Sequence, residues 1–463
     1  TPLQTGEIGG VALFGQLVGS FFGGYISDLW GRKAIYLLDL ATFFVAALLC
    51  AGAWSFLSLY IFRFILGIGI GADYPLSATY MAEFMPANRR GGIITWTFGL
   101  WPVGAIVAGL VGYLLLRIAG AEAWRWMFAI GALPALFVLY LRRDLPESPR
   151  WYLRRNDPDS AAAVLKRMVP ELTQPQIDAM IETQRAIIVQ RPKILPAELF
   201  NWRYLRSNIF ILLPWFKLFN KRYLRSTLLV CVPWFLMDVA GYFIVIYKPQ
   251  LLSHLGYKTH ESQILWSAII NFAYPFGFIP LALLVDKIGR IWPQIIGFVG
   301  GALALVFVVF AGDSHPEIAF LGLLFNNFAL GFGPGSTTYI LPSEVYPTDV
   351  RATGHGFATA FSRVGAWLSA TYCLPLAVWL GTASNPVRLL SAHLYPPLEA
   401  LSGLGYLLCI LAIVYLAGAV TTWIFRVQTA SKPLIEEEHL HPGPGPSLQP
   451  VPEYVSQGSD EIS

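Results

Sequence analysis

Apolar stretches of about 20 residues, separated by short polar breaks, recur from the first residues to about position 425. A helix of that length crosses the roughly 30 Å hydrocarbon core of a bilayer. Lipid offers the backbone no hydrogen bonds, so only helices or closed barrels span it. These runs are too long and continuous for barrel strands. Eleven spans are predicted, near 7–27, 34–54, 57–80, 92–116, 124–142, 227–252, 263–285, 291–311, 317–341, 354–381 and 399–425. The pattern divides the chain into a helical bundle over 1–143, a polar central loop over 144–226, a second bundle over 227–426 and a tail over 427–463. The tail holds Glu436–Glu438 and the stretch HPGPGPSLQPVP, a composition that reads as disordered.

Composition agrees with an all-α polytopic membrane protein. Charged residues make up 13% of the chain, against about 25% in soluble domains. Cys50, Cys231, Cys373 and Cys409 all fall in apolar runs and form no paired motif, so they read as small core residues. Charge sets the sidedness. Half of the 32 lysines and arginines lie between 142 and 225, and Arg32-Lys33 and Arg89-Arg90 sit in short loops on the same side. The positive-inside rule places that face, and the tail, in the cytoplasm of a plasma-membrane protein. The basic segments near 203–225 then read as lipid-facing anchors, not as nucleic-acid sites.

Two loop motifs occur twice, in the same order. Gly24-x3-Asp28-x2-Gly31-Arg32 returns as Ala282-x3-Asp286-x2-Gly289-Arg290. Glu83-x2-Pro86-x3-Arg90 returns as Glu344-x2-Pro347-x3-Arg351. Such a duplication marks a transporter-like fold of two related halves. Each motif makes a sharp turn and sets opposite charges near helix ends, where pairs can form in one conformation and break in another.

GxxxDxxGRK, together with RFILGIGIGADYPLSATYMAEFMPANRRG at 63–91, resembles the major facilitator superfamily. PESPR at 146–150 resembles its sugar porters, and GADYPLSAT resembles its proton-coupled phosphate symporters more closely. The resemblance implies two six-helix bundles working by alternating access, driven by a proton gradient with no chemical cofactor and no metal. Its partners would be a small solute, protons and the lipid bilayer, and the carrier would act as a monomer. Only five spans precede the central loop here, and the chain opens on TPLQTGEIGG, so the first span of the twelve is expected to be absent.

Several polar residues inside spans are candidates for chemistry. An intramembrane acid costs roughly 2.5–3.5 kcal/mol on insertion scales, so it faces a cavity or a partner. Asp73 is one, either in a solute path or paired with a basic residue of a neighbouring helix; Tyr74 beside it offers a hydroxyl. Trp234, Asp238 and Tyr242 fall at i, i+4 and i+8, one stripe of a helix, and the resemblance makes that stripe a phosphate-site pattern. A carboxyl held away from water takes up a proton readily, so Asp238 and Asp73 are the candidates for proton coupling. Arg363 needs an anion, either a solute or one of these carboxylates. Asp39 reads as structural. Gly and Pro interrupt NNFALGFGPGSTTY at 326–339, where Asn327 offers an amide, and broken helices often line transporter sites. Trp101, Gly335 and Arg363 stand where the phosphate symporters carry Gln, Asn and Lys, which puts phosphate itself in question and suits an organic acid equally well.

The expected function is therefore proton-coupled symport of a small, polar, anionic solute, phosphate-like or an organic acid. The site would comprise Asp238, Asp73, Tyr74, Trp101, Trp234, Tyr242, Arg363 and Asn327. A sugar porter is the alternative; a non-transporting sensor on the same fold would usually carry a large extension, and an enzyme would need a metal cluster or an activated nucleophile, neither of which the spans suggest. One local repeat stands apart: 199–216 and 218–235 are identical at 11 of 18 positions. The first copy has Phe219 where the second has Asp238 and is expected to lie at the interface as a short basic-aromatic helix.

Overall fold

The computed structural model describes residues 2–84, 89–187, 215–311, 315–346, 350–382 and 402–427. Every regular element among them is helical. The first half holds α1 (Pro2–Trp30), α2 (Arg32–Ala51), α3 (Phe56–Phe84), α4 (Arg90–Ala119) and α5 (Ala123–Arg142). Three short helices follow in the central loop: α6 (Pro149–Arg154), α7 (Pro158–Met168) and α8 (Gln174–Ile187), with a small core of Leu153, Ala161, Ile177 and Ile181. After α9 (Trp215–Leu218) come α10 (Lys221–His254), α11 (His260–Asn271), α12 (Ala273–Ile288), α13 (Ile291–Ala311), α14 (Pro316–Phe332), α15 (Pro334–Glu344), α16 (Arg351–Leu380) and α17 (Gly403–Phe425).

Nine helical stretches among the described residues are long and apolar enough to cross a membrane. The expected eleven are not confirmed, for two physical reasons. Gly91–Arg142 forms one apolar stretch of 52 residues, turned at Gly120 with φ +53°. α16 is long enough, but it carries Arg351, His355 and Arg363 among small hydroxyl residues and is not one of the nine. Nor does the structure confirm a grouping into two six-helix bundles. A membrane-length helix, Gly6–Trp30, stands at the start of the described chain, and the expected absence of a first span is not borne out. Residues 199–214 and 428–463, on which the interfacial-helix and tail expectations fall, lie outside the described residues.

Within the first half α3 packs on α1 and α2, and α2 on α5. In the second, α10 packs on α16 and α17, and α13 on α14 and α17. The halves meet where α1 lies along α16 and where α4 crosses α11 and α12. Lipid tails are as apolar as leucine, so close backbone approach holds such helices together. Gly67 of α3 supplies one such approach: a Cβ there would collide with the Ala12 carbonyl of α1. Gly24 supplies another, against Ala352 of α16, and joins the two halves.

The loop motifs seal one face, and they do so through helix N-termini. Asp28 Oδ2 accepts hydrogen bonds from Thr353 N at 3.0 Å and Thr353 Oγ1 at 2.8 Å, at the start of α16. In the matching copy, Asp286 accepts from Gly91 N at 3.1 Å and Gly92 N at 2.8 Å, at the start of α4. Glu147 accepts from Arg32 N and Lys33 N, both at 3.0 Å, at the start of α2. Carboxylates placed there satisfy unpaired N–H groups and meet the positive end of the helix dipole. Arg290 adds ion pairs to Glu344 at 2.7 Å and Asp286 at 2.8 Å, and Arg32 one to Asp28 at 3.5 Å. Arg351 Nε donates to the Tyr346 carbonyl at 3.2 Å. Gly31 and Gly289 turn the chain with φ +106° and +83°, conformations that favour glycine. The side chains of Glu83 and Arg90 lie outside the described residues.

Candidate functional site

Two cavities meet between the halves. The larger, about 660 Å³, is lined mainly by residues of α1 to α5, among them Asp39, Asp73, Ser77 and Arg142, together with Tyr242 of α10 and Tyr339 of α15. The smaller, about 80 Å³, lies against α10 and is lined by Trp234, Asp238, Tyr274, Gly335 and Arg363. Tyr74, Phe98, Trp101 and Tyr242 line both and form the shared wall.

The stripe on α10 presents Trp234, Asp238 and Tyr242 to the smaller cavity. Asp238 and Trp234 are each 1% exposed. Arg363 of α16 meets Asp238 there, Nη1 to Oδ2 at 2.6 Å, with the two side chains 3% and 1% exposed. Its guanidinium carbon also lies 4.6 Å from the ring centroid of Tyr74 and 5.3 Å from that of Tyr242. Arg363 therefore sits in an aromatic collar, neutralised by one carboxylate. Its Nε has no hydrogen-bond partner, leaving one buried donor unmatched.

Asp73 does not join this pair. Its Oδ1 accepts from Arg142 Nη1 at 2.8 Å and from Ser77 Oγ at 3.0 Å. Arg142 ends α5 and lies 3.6 Å over the Tyr36 ring. Asp39, read from sequence as structural, lines the same cavity; it is 4% exposed, and its Oδ2 has no hydrogen-bond partner. The first half thus holds two carboxylates and one arginine in its wall.

Asn327 is elsewhere. It is 7% exposed, donates to the Leu323 carbonyl of its own helix at 3.1 Å, and lines neither cavity. The broken helix instead contributes Gly335 and Tyr339. Gly335 has a specific reason to be small: a Cβ there would collide with the hydroxyl of Tyr274, which fills the place a side chain at 335 would take.

Sequence reasoning missed Arg142, Tyr274, Phe98 and Tyr339. Arg142 opens the basic stretch that follows a span; its signal is a position at the very end of that span, with an intramembrane acid unaccounted for elsewhere. Tyr339 packs against Trp234, Phe98 and Tyr74, and buried His355 packs edge-on to Trp234 and donates from Nε2 to the Tyr339 carbonyl, 3.1 Å away. No sequence spacing joins these residues. Among the described residues there is no group of three His, Cys, Asp or Glu side chains able to hold a metal ion.

Membrane-length helices around central cavities that hold paired charges in aromatic walls, with repeated charge motifs joining distant helices on one face, are the architecture of a membrane carrier. The chain belongs to the sugar (and other) transporter family, whose model matches residues 1–440. It is similar to the niacin transporter NiaP of Acinetobacter baylyi, with 28% identity over 79% of this chain and 76% of the relative. It is also similar to low affinity inorganic phosphate transporter 4 of Lotus japonicus, with 31% identity over 78% of this chain and 72% of the relative. Its fold resembles that of the proton:xylose symporter XylE bound to 6-bromo-6-deoxy-D-glucose. The TM-score is 0.73, with 23% identity over 95% of this chain and 89% of XylE. The chain is thus a carrier of the major facilitator fold.

Proposed function

We propose that this carrier is a proton-coupled symporter of a small organic solute with a ring-sized apolar face, working by alternating access. The observation that carries this reading is the Asp238–Arg363 pair set in an aromatic collar. Protonation of Asp238 removes the charge that neutralises Arg363, and a solute acceptor can then take the freed guanidinium. Deprotonation restores the pair and expels the solute. Proton and solute would thereby move together. The face closed by Asp28, Asp286 and Glu147 would be cytoplasmic, and release would require those caps to open.

Two solute chemistries divide the support. A sugar is favoured by the family description and by the likeness to a xylose symporter. Aromatic walls stack on the apolar face of a sugar ring, although the lining offers few amide groups for hydroxyls. An organic acid is favoured by Arg363 and by the niacin transporter among the relatives. Inorganic phosphate has several relatives in its favour, but the small lobe offers it one cation, already paired, among Tyr, Trp, Phe and Met side chains.

Proteoliposomes holding the full chain test this directly, by uptake of xylose, nicotinate and phosphate with and without an imposed proton gradient. Gradient-driven accumulation of xylose or nicotinate is expected. Accumulation of phosphate alone would overturn the ring-sized solute, and gradient-independent uptake would overturn proton coupling.

A further inference from the structure

Away from the central cavities, a third opens at the ends of four helices on the face that carries the loop motifs. It encloses about 520 Å³. Arg225 of α10 and Lys287 of α12 reach it, α13 begins in its wall at Ile291, and α17 ends there with Trp423 and Arg426. All three basic side chains are exposed. No ion pair joins Arg225, Lys287 or Arg426 to a carboxylate among the described residues. The contrast with Arg290 in the same wall is sharp, since that arginine is 2% exposed and doubly paired. The positive end of the α13 dipole adds to the same field.

Two tryptophans also line it. Trp292 and Trp423 lie 5.5 Å apart, 55% and 45% exposed. Arg426 stacks 3.9 Å over the Trp423 ring. Ile288, Ile296 and Ile424 on the helices that form the cavity are also exposed, at 43%, 54% and 56%. The cavity therefore has a cationic mouth, an indole rim and outward apolar helix faces beside it. Indoles concentrate where a bilayer meets water, and basic pockets between helices on the cytoplasmic side suit lipid headgroups.

We infer that this cavity binds the headgroup of an anionic phospholipid. Arg225, Lys287 and Arg426 receive the phosphodiester, Trp292 and Trp423 flank the glycerol, and the acyl chains run down the apolar faces of α12, α13 and α17. Free phosphate would meet the same three cations but would leave the indole rim and the apolar faces without a partner.

The test uses the purified full chain in mixed micelles, with native mass spectrometry for retained lipid and thermal unfolding as a second readout. The arms are phosphatidylglycerol, phosphatidylcholine and inorganic phosphate. Phosphatidylglycerol is expected to be retained selectively and to raise the unfolding temperature, with the other two giving neither effect. The triple variant Arg225→Gln, Lys287→Gln, Arg426→Gln is expected to retain it at least about tenfold less, since each cation near a membrane surface adds appreciable attraction. Equal retention of phosphatidylcholine, equal protection by inorganic phosphate, or an unchanged triple variant would each overturn the site. Should the triple variant fail to fold, Trp423→Leu carries the test: reduced retention supports the lipid site, and unchanged retention removes it.

Discussion

Each half of the molecule sets an aspartate against an arginine beside the central space, and the two pairs live in different surroundings. Asp238 and Arg363 are sealed, with side chains 1% and 3% exposed. Asp73 and Arg142 are 35% and 18% exposed, and Ser77 shares the carboxylate. The sealed pair has given up its water, so each charge depends on the other. Removing one partner of such a pair typically costs about 3–5 kcal/mol, whereas replacing both by apolar groups is often neutral. The open pair keeps access to the larger cavity, and water compensates for much of what a substitution removes. The same two residue types therefore form a sealed pair in one half and a partly hydrated wall in the other.

The largest expected effect comes from Asp238→Asn. Gradient-driven uptake in proteoliposomes should fall by more than about 100-fold, and the unfolding temperature should drop as Arg363 is left unpaired. Asp238→Leu combined with Arg363→Met should recover the unfolding temperature but not the uptake; recovery of both would show that the pair is packing alone. Asp73→Asn comes next, with uptake falling by roughly tenfold and stability changing by about 1 kcal/mol or less, because Arg142 remains partly hydrated. Losses as large as those of Asp238→Asn would erase the contrast between the halves.

Asp286→Asn should act differently from either. It weakens the bonds to Gly91 N and Gly92 N and leaves both cavities untouched. The closed face should open more often, read as a severalfold rise in labelling of a cysteine introduced on that face, since charged hydrogen bonds of this kind contribute about 1.5–3 kcal/mol each. Smallest of all is Arg117→Gln. Its ion pair with Glu261 is 57% and 51% exposed, and loss of such a pair changes stability by about 0–1 kcal/mol with no effect on uptake. A large loss there would show that the contact between α4 and α11 is mechanically coupled to the site.

The motif carboxylates show how far a one-dimensional reading reaches. Their repetition was visible as Asp28 and Asp286, and a role at helix ends followed from it. Their partners were not visible, because Thr353, Gly91 and Gly92 lie in distant helices and donate from the backbone, with the Thr353 hydroxyl the one side-chain donor among these bonds. A backbone N–H has no residue identity to read. Asp238 and its stripe were legible because a charge in an apolar run is costly and helical spacing fixes its neighbours. Asn327 lies away from both cavities, and its amide donates one turn back in its own helix, a solution open to side chains with a donor in a membrane span.

The class of this protein was legible in the linear chain. Run lengths matched to bilayer thickness, a duplicated pair of loop motifs and acids too costly to bury without cause required a helical carrier, whatever the packing. Which residues meet came from the three-dimensional packing. It assigned Arg363 to Asp238 and Arg142 to Asp73, put the hydroxyl of Tyr274 where Gly335 leaves room, and gathered two indoles and three cations, with no ion pair to a carboxylate among the described residues, at the ends of four helices. Pairing depends on the rotation and register of helices far apart in the chain. Those are set by close contacts such as Gly67 on Ala12 and Gly24 on Ala352, and no local spacing encodes them.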